Sequence, residues 1–276
     1  MSDVRLSKTG DLPALRSLFG RVFEEDEAGL DLFFSHCYRE ENTLVAEVDG
    51  ALCGMFYILP ARLLCAGETL DVAYLYALAV EERMRGRGIA GEIMRELDRL
   101  LPARGYAAAL LKPAEESLYG YYRRFGFDHA FYVKRFPFSA GGPGKVAPVR
   151  LDKLPRPRES YFSCRPLFLW NPEMLRFAED FGRHGGGGTW LIETPQGSGY
   201  AHGRVREGKL LVTELGCEAG SAPALLGVLA SRLGLPGGTA LLPPCAPFGE
   251  REPAALLKWF IPARETKDGY FSLAFD

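Results

Sequence analysis

The sequence lacks the features that define several broad classes of protein. Its 33 Lys and Arg against 35 Asp and Glu give a net charge of −2, so there is no overall basic excess for binding nucleic acid or acidic lipid. No apolar run reaches the roughly 18 residues of a membrane span, and the first residues lack the basic head and apolar stretch of a signal peptide. We therefore expect a cytoplasmic protein without nucleic-acid or membrane partners.

Cysteine is present, but not in a pattern that binds metal or builds a disulfide framework. The six cysteines are far apart, no C-x-x-C pair occurs, and there are only four histidines. This spacing excludes a zinc finger and predicts no metal site. We expect all six thiols to be buried and reduced: Cys37, Cys53, Cys65, Cys164, Cys217 and Cys245.

The 276 residues, 47% of them hydrophobic, are enough for one large core or two smaller ones. Gly and Pro are dense after Ser139, which argues against a helix or central strand there. We predict a linker over residues 139–158, between a domain of residues 1–138 and a second of residues 159–276. In the first domain, Asp49-Gly50 indicates a hairpin turn, and Phe131 to Phe138 is predicted to be the closing strand.

The second domain repeats the element order of the first in shorter form. Its predicted elements include strands at Thr189 to Glu193 and Lys209 to Cys217, a helix at Glu252 to Phe260 and a last strand at Tyr270 to Phe275. We therefore expect an α/β chain with mixed (α+β) sheets, built from two copies of one fold, the second degenerate.

A glycine-rich turn carries the strongest chemical signal. The apolar run Val72 to Val80 is a predicted central strand, and a helix is predicted to begin at about Ile89. Glycines between them let the backbone approach an anion, and the free N–H groups of the helix start attract phosphate. The residues that add this flexibility and charge are Arg83, Arg85, Gly86, Arg87 and Gly88.

A dinucleotide site is the first alternative for this turn, because Gly86-x-Gly88-x-x-Gly91 has the form G-x-G-x-x-G. That motif should follow its strand directly and should have an acidic residue about 20 residues further on. Here five residues separate Val80 from Gly86, and the next predicted strand ends in Lys112. The pattern therefore fits a dinucleotide site poorly.

Two motifs point to another family. The turn matches Q/R-x-x-G-x-G/A as Arg83-x-x-Gly86-x-Gly88 or as Arg85-x-x-Gly88-x-Ala90, and the second register joins strand, loop and helix start without a gap. Tyr121-Tyr122-Arg123-Arg124-Phe125-Gly126-Phe127 is similar to F-Y-x-x-x-G-F. In these motifs and in its element order, residues 1–138 resemble the GNAT superfamily of acyl-CoA-dependent N-acetyltransferases.

The resemblance implies acetyl-CoA as co-substrate and assigns a role to each matching residue. Tyr122 aligns with the family's proton donor, which assists departure of the thiolate, whose pKa is about 8.5 in model compounds. Packing is the alternative role for this tyrosine. The residues implied to bind acetyl-CoA are Leu78, Ala79, Val80, Arg83, Arg85, Gly86, Arg87, Gly88, Ile89 and Ala90.

No residue stands out as the general base. The helix that borders the acceptor cleft in the family begins with acidic residues, which are also common at helix starts because they suit the dipole. Two tyrosines on the central strand either face the cleft or pack within the sheet. The resulting cleft residues are Glu24, Glu25, Asp26, Glu27, Glu41, Tyr74 and Tyr76.

The second domain lacks an Arg-Gly pair at the corresponding turn, so we expect it to bind no acetyl-CoA and to cover the cleft or form a homo-oligomer interface. The tandem arrangement resembles part of the enhanced intracellular survival family, notably in Glu41-Asn42-Thr43-Leu44-Val45-Ala46 and Tyr74-Leu75-Tyr76-Ala77. That family continues into a third, sterol-carrier-like domain whose terminal carboxylate enters the active site. This chain stops at Asp276, after the predicted final strand of the second domain, so the resemblance assigns no residue here to a terminal carboxylate base.

The sequence thus predicts an acetyl-CoA-dependent N-acetyltransferase that acts on a primary amine, either a small molecule or a lysine side chain, by direct attack in a ternary complex. The alternative is a non-catalytic acyl-CoA-binding sensor or assembly module. A role in nucleic-acid binding ranks third, because basic residues cluster only at one turn.

Overall fold

The computed structural model describes residues 2–266 and 268–274. The chain forms two compact units that do not follow the predicted domain boundaries. Unit 1 comprises Met1–Arg62, Thr69–Asp128 and Leu256–Ala263, and unit 2 comprises Leu63–Glu68, His129–Ala255 and Arg264–Asp276. Each unit therefore includes a segment from the other half of the sequence.

Unit 1 has a mixed sheet with helices on it, as the sequence predicts. One core cluster packs the apolar faces of the helices at residues 89–103 and 117–123 against the sheet, and helical spacing predicted where the first of them begins. Its strands and helices are β1 (Asp3–Leu6), α1 (Leu12–Phe23), α2 (Glu27–His36), β2 (Thr43–Val48), β3 (Ala51–Cys65, whose last residues belong to unit 2), β4 (Glu68–Val80), α3 (Ile89–Ala103), β5 (Ala108–Leu111) and α4 (Ser117–Arg123).

The last strand of unit 1 comes from the far end of the chain. The segment predicted as a helix from Glu252 to Phe260 is instead a strand (Glu250–Trp259), and its residues Leu256–Trp259 pair antiparallel with β5. A short apolar run such as Ala254–Leu257 does not distinguish a buried strand from a buried helix by periodicity, which explains the error. The Lys258 ammonium of this strand also pairs with Asp98 of α3.

Unit 2 has a core of its own and both parallel and antiparallel strand pairs, and the expected α/β fold class with a mixed sheet is confirmed. The predicted closing strand of the first domain, Phe131 to Phe138, lies in this unit and pairs antiparallel with the strand Gly237–Leu242. Its elements are β6 (Asp128–Ser139), β7 (Lys145–Val149), β8 (Leu167–Trp170), α5 (Pro172–His184), β9 (Gly188–Thr194), β10 (Gly197–Arg206), β11 (Lys209–Cys217), α6 (Ala222–Arg232) and β12 (Gly237–Leu242), followed by β13 (Glu250–Trp259), which is shared with unit 1.

Two further expectations for this half need correction. The predicted linker over residues 139–158 contains β7, which pairs antiparallel with β9 and can do so despite Pro148 because strand edges tolerate proline. The predicted strand from Tyr270 to Phe275 is reduced to an isolated bridge between Tyr270 and Leu167, and Phe275 lies outside the described residues. Among the described residues, no helix is long and apolar enough to span a membrane.

The expectation that all six cysteines are reduced is wrong. Cys164 and Cys245 form a disulfide across 81 residues of sequence, with their Cα atoms 6.1 Å apart. Cys37, Cys53 and Cys65 are buried free thiols, and Cys217 is a half-buried one. Tertiary folding brings the two cysteines together, so the local spacing of cysteines in the sequence could not predict this disulfide.

A buried ion pair lies inside unit 2. The Arg158 guanidinium donates to Glu214 from Nε, at 2.9 and 2.8 Å, and Tyr200 Oη donates to the same carboxylate at 2.5 Å. Burial alone would raise the pKa of Glu214, but Arg158 and the hydroxyl donors, Ser272 among them, outweigh it and hold that pKa below its usual value. Glu214 therefore stays ionised in the core.

We expect Glu214→Leu to destabilise the protein by about 3–5 kcal/mol, because it leaves the buried Arg158 charge without a counter-ion. Urea denaturation measures this loss. The double variant Arg158→Met with Glu214→Leu removes both charges and should recover most of it. A double variant as unstable as the single one would contradict this account.

His202 is a second buried titratable group of unit 2. Its Nδ1 lies 2.9 Å from Thr189 Oγ1, which donates to the buried Glu179 carboxylate at 2.5 Å. Burial disfavours the imidazolium more than the nearby Glu179 and Glu214 favour it, and the pKa of His202 falls to about 4. The neutral imidazole is thus the form that the fold accommodates.

This lowered pKa predicts an acid-sensitive contribution to stability. It is complete above the unfolded-state pKa of about 6.5 and is lost as the pH falls from there towards 4, by roughly 3 kcal/mol in all. His202→Asn should therefore lose less stability than the parent between pH 6.5 and 4.5 in urea titrations. The same substitution at His36 of α2 is the control, and identical pH profiles for His202→Asn and the parent would refute the prediction.

Candidate active site

The centre of unit 1 is a fork between two parallel strands. The ladder from Val72–Leu75 of β4 to Ala108–Leu111 of β5 ends where β5 ends, whereas β4 continues to Val80. Leu78, Ala79 and Val80 therefore lie beyond the ladder, on an edge where an extended ligand could take the place of a strand.

A backbone irregularity marks the start of this free edge. Ala77 has a φ of 55°, in the left-handed region that a residue with a Cβ atom rarely adopts. Such strain costs on the order of 1–3 kcal/mol and persists where the surrounding structure imposes it, often at functional sites. The turn of the chain at Ala77 changes the direction of the backbone groups that follow it.

The glycine-rich turn leads directly into α3. Gly86 and Gly88 have φ values of 77° and 83°, and a Cβ added at either would meet no atom within 4 Å. Gly88 is the N-cap of α3 and supplies no side-chain cap, so the first N–H groups of the helix are not capped by it. Ile89 is buried and anchors the helix start, while Ala90 is half-buried. The turn is thus an open backbone surface.

Three arginines surround this surface. Arg83, Arg85 and Arg87 are all exposed, and Arg85 Nε donates to the Val80 carbonyl at 3.2 Å. That bond holds Arg85 beside the end of β4. The arrangement concentrates positive charge where a phosphate group would meet the helix start.

Tyr122 is part of the core of unit 1. It projects from α4, is only 8% exposed, and belongs to the same packed cluster as Leu75 and Leu111, the last paired residues of the two strands. Burial raises the pKa of Tyr122 above that of a free tyrosine, so its hydroxyl keeps its proton at neutral pH. Its neighbour Tyr121 has a buried hydroxyl that makes no hydrogen bond to the described residues.

The acidic residues at the start of α2 have structural roles. Asp26 caps the helix by accepting a hydrogen bond from Gly29 N at 2.8 Å, and Glu27 pairs with Arg16 at 3.0 Å. Glu24 ends α1 in a left-handed conformation, and Glu41 is exposed in a short 3-10 helix before β2. These contacts favour helix capping over a direct catalytic role for Asp26 and Glu27.

An aromatic cluster lies beside β4. The rings of Tyr74 and Tyr76 are stacked with their centroids 6.1 Å apart, and Tyr76 lies 5.6 Å from Phe33 and 6.5 Å from Phe19. Tyr74 is buried and Tyr76 is half-buried, so only Tyr76 can offer part of its ring to a ligand. Sequence reasoning did not place these phenylalanines beside the candidate cleft residue Tyr76. Their signal was that the apolar stripes of α1 and α2 consist so largely of phenylalanine.

Known proteins give the same family as the motifs. Residues 3–130 match the model of the acetyltransferase (GNAT) domain. Similar solved structures include a probable N-acyltransferase of Enterococcus faecalis (15% identity, TM-score 0.71, 94% of this chain and 72% of that one) and Eis1 of Mycobacterium abscessus (16%, 0.68, 94% and 73%). A putative acetyltransferase of Pyrococcus horikoshii matches at 16% identity and TM-score 0.60, over 99% of this chain and 95% of that one.

At these identities the solved structures establish the fold alone, which the chain shares with the probable N-acyltransferase and with Eis1. No curated protein matches the chain in sequence. The match over residues 3–130 covers the fork, the turn and Tyr122 together. Residues 3–130 are thus similar to a GNAT acetyltransferase domain, in agreement with the resemblance that the sequence motifs indicated.

Proposed function

We propose that the protein is an acetyl-CoA-dependent N-acetyltransferase that transfers the acetyl group directly to a primary amine in a ternary complex. One observation carries this proposal: the free edge of β4 runs directly into the arginine-rich turn and α3, and Tyr122 of α4 belongs to the core cluster against which Leu78 and Val80 of that edge pack. These are the three groups that an extended thioester with a pyrophosphate needs.

In this proposal each region has one task. The turn and the start of α3 bind the pyrophosphate through backbone N–H groups, and the arginines balance its charge. The backbone of Leu78 to Val80 pairs with the amides of the pantetheine arm, and an N–H of this edge polarises the thioester carbonyl. Attack by the amine forms a tetrahedral intermediate, and its collapse breaks the C–S bond.

Tyr122 gives its hydroxyl proton to the departing thiolate. Its raised pKa ensures that the proton is present at neutral pH. For the acceptor, the acidic start of α2 favours a cationic amine, and the half-buried ring of Tyr76 offers an apolar wall for its carbon chain. The base that deprotonates the ammonium is a water molecule or an acidic residue of this region, with Glu24, Glu25 and Glu41 as candidates. Unit 2 is proposed to bind no acetyl-CoA and to support homo-oligomer formation.

A direct test is the release of free thiol from acetyl-CoA across a panel of polyamines, aminoglycosides and lysine peptides. We expect release that depends on the amine and yields the acetylated amine by mass spectrometry. The rival function, a non-catalytic acyl-CoA sensor, is supported if acetyl-CoA binds and no amine in the panel is acetylated.

A further inference from the structure

Unit 2 contains a cavity of about 410 Å³ that the proposed function does not use. This volume is in the range of about 300–1,000 Å³ typical of small-molecule sites. Its lining combines apolar side chains with hydroxyl and thiol groups and one residue of each charge. The residues are Arg156, Ser160, Tyr161, Phe162, Ser163, Leu215, Cys217, Glu218, Ala222, Leu242, Pro243, Cys245 and Ala246.

The cavity lies where two parallel strands separate. The ladder between β11 and β12 ends at Val212 and Ala240, whereas β11 continues to Cys217. Leu215 and Cys217 of β11 line one part of the cavity, and Leu242 at the end of β12 lines another. The backbone of β11 beyond Val212 therefore faces the cavity instead of a strand, as an edge that an extended chain with amide groups can pair with.

The walls are fixed before any ligand arrives. The disulfide of Cys164 and Cys245 joins the segment around Phe162 to the loop that follows β12. The ring of Tyr161 packs edge-on against Tyr200 at 4.8 Å, and Phe162 packs against Tyr270 at 5.0 Å. A preformed site loses little conformational entropy on binding.

The charges at the cavity are balanced. The Arg156 guanidinium, 4.1 Å above the Tyr161 ring, is the one basic group among the lining residues, and Glu218 is the one acidic group. Both residues are exposed. A single arginine does not neutralise the charge of a pyrophosphate. A cationic and an anionic side chain together suit a ligand that carries one charge of each sign.

We propose that this cavity binds a short peptide of roughly two to four residues, extended along the free edge of β11 with both of its termini charged. The peptide backbone pairs with the strand, small apolar side chains contact the half-buried Tyr161 and Pro243, the carboxylate meets Arg156 and the ammonium meets Glu218. The site is independent of acetyl transfer in unit 1.

The test is calorimetry of the full chain with the tripeptide Ala-Leu-Ala in the presence of saturating CoA, which occupies unit 1. We expect binding that Ser163→Trp and Ser160→Trp weaken at least about tenfold, because a large ring at these exposed lining positions fills the cavity without entering the core. Ser35→Trp, on the exposed face of α2, is the matched control and should bind like the parent.

The termini are tested by pairing protein and peptide changes. Arg156→Ala should weaken the affinity for Ala-Leu-Ala about two- to fivefold and leave the affinity for the same peptide with a C-terminal amide unchanged. Glu218→Ala should weaken the affinity for Ala-Leu-Ala by a similar factor and leave the affinity for the N-acetylated peptide unchanged. Absence of tripeptide binding, or unchanged binding in both tryptophan variants, overturns the proposal. Tighter binding of phosphate-free pantetheine than of any tripeptide also overturns it, because that ligand has amides and no charged termini.

Discussion

Tyr122→Phe is expected to slow acetyl transfer at least about a hundredfold at neutral pH while the protein still folds and binds acetyl-CoA. The ring and most of its buried area remain, so the free energy of unfolding should change by about 1 kcal/mol or less. Loss of a general acid costs about 10² to 10⁴ in rate, because the thiolate must then leave without a proton. Steady-state kinetics, together with calorimetry for acetyl-CoA, measure the two effects separately.

Tyr121→Phe is the matched control for this experiment. The two tyrosines are adjacent on α4, with their rings 5.2 Å apart, but the Tyr121 hydroxyl is buried without a hydrogen bond to the described residues. Removing it should leave both activity and affinity nearly unchanged. Equal rates for the two variants, or an inactive Tyr121→Phe, would show that Tyr122 packs the fork and that water protonates the thiolate.

Adding negative charge to the glycine-rich turn should have a comparably large effect on CoA binding. We expect Arg85→Glu and Gly88→Asp each to weaken CoA at least about a hundredfold, since each places a carboxylate against the pyrophosphate. Both positions are exposed, and the space beside Gly88 is open, so the fold should persist. Calorimetry on the variants, with circular dichroism to verify folding, provides the measurement.

Two substitutions of the same kind control for charge and for backbone strain. Arg62→Glu reverses an exposed charge in β3, and Gly50→Asp places a carboxylate at a glycine with a φ of 74° and open space around it. Both should bind CoA like the parent, at one CoA per chain. Unchanged affinity in Arg85→Glu and Gly88→Asp would remove the turn from the site, and two CoA molecules per parent chain would give unit 2 a nucleotide site.

Elements with a clear period were predictable from the sequence. The helical pattern placed the start of α3 at Ile89, where the structure has it, and the strand Lys209–Cys217 has the predicted bounds. The glycine-rich turn was equally predictable, because glycine favours the positive φ values found there and arginine supplies the charges. A local pattern suffices when the cause of the structure is local.

Features that depend on distant parts of the chain were not predictable in this way. The pairing of Leu256–Trp259 with β5, the disulfide and the Arg158–Glu214 pair each join residues separated by at least 56 positions. Nothing in the sequence near Arg158 distinguishes it from the exposed arginines around it. The aromatic cluster around Tyr76 likewise becomes visible only when α1 and α2 lie against the sheet.

The strand that β13 gives to unit 1 sets the order in which the protein can fold during synthesis. Residues 1–128 leave the ribosome first, but one edge of β5 has no partner until Leu256–Trp259 emerges. At about 5–20 residues per second, that interval lasts roughly ten seconds. During it the nascent chain exposes an apolar strand edge, so its yield should depend on chaperones that protect such edges more than on the stability of the finished protein.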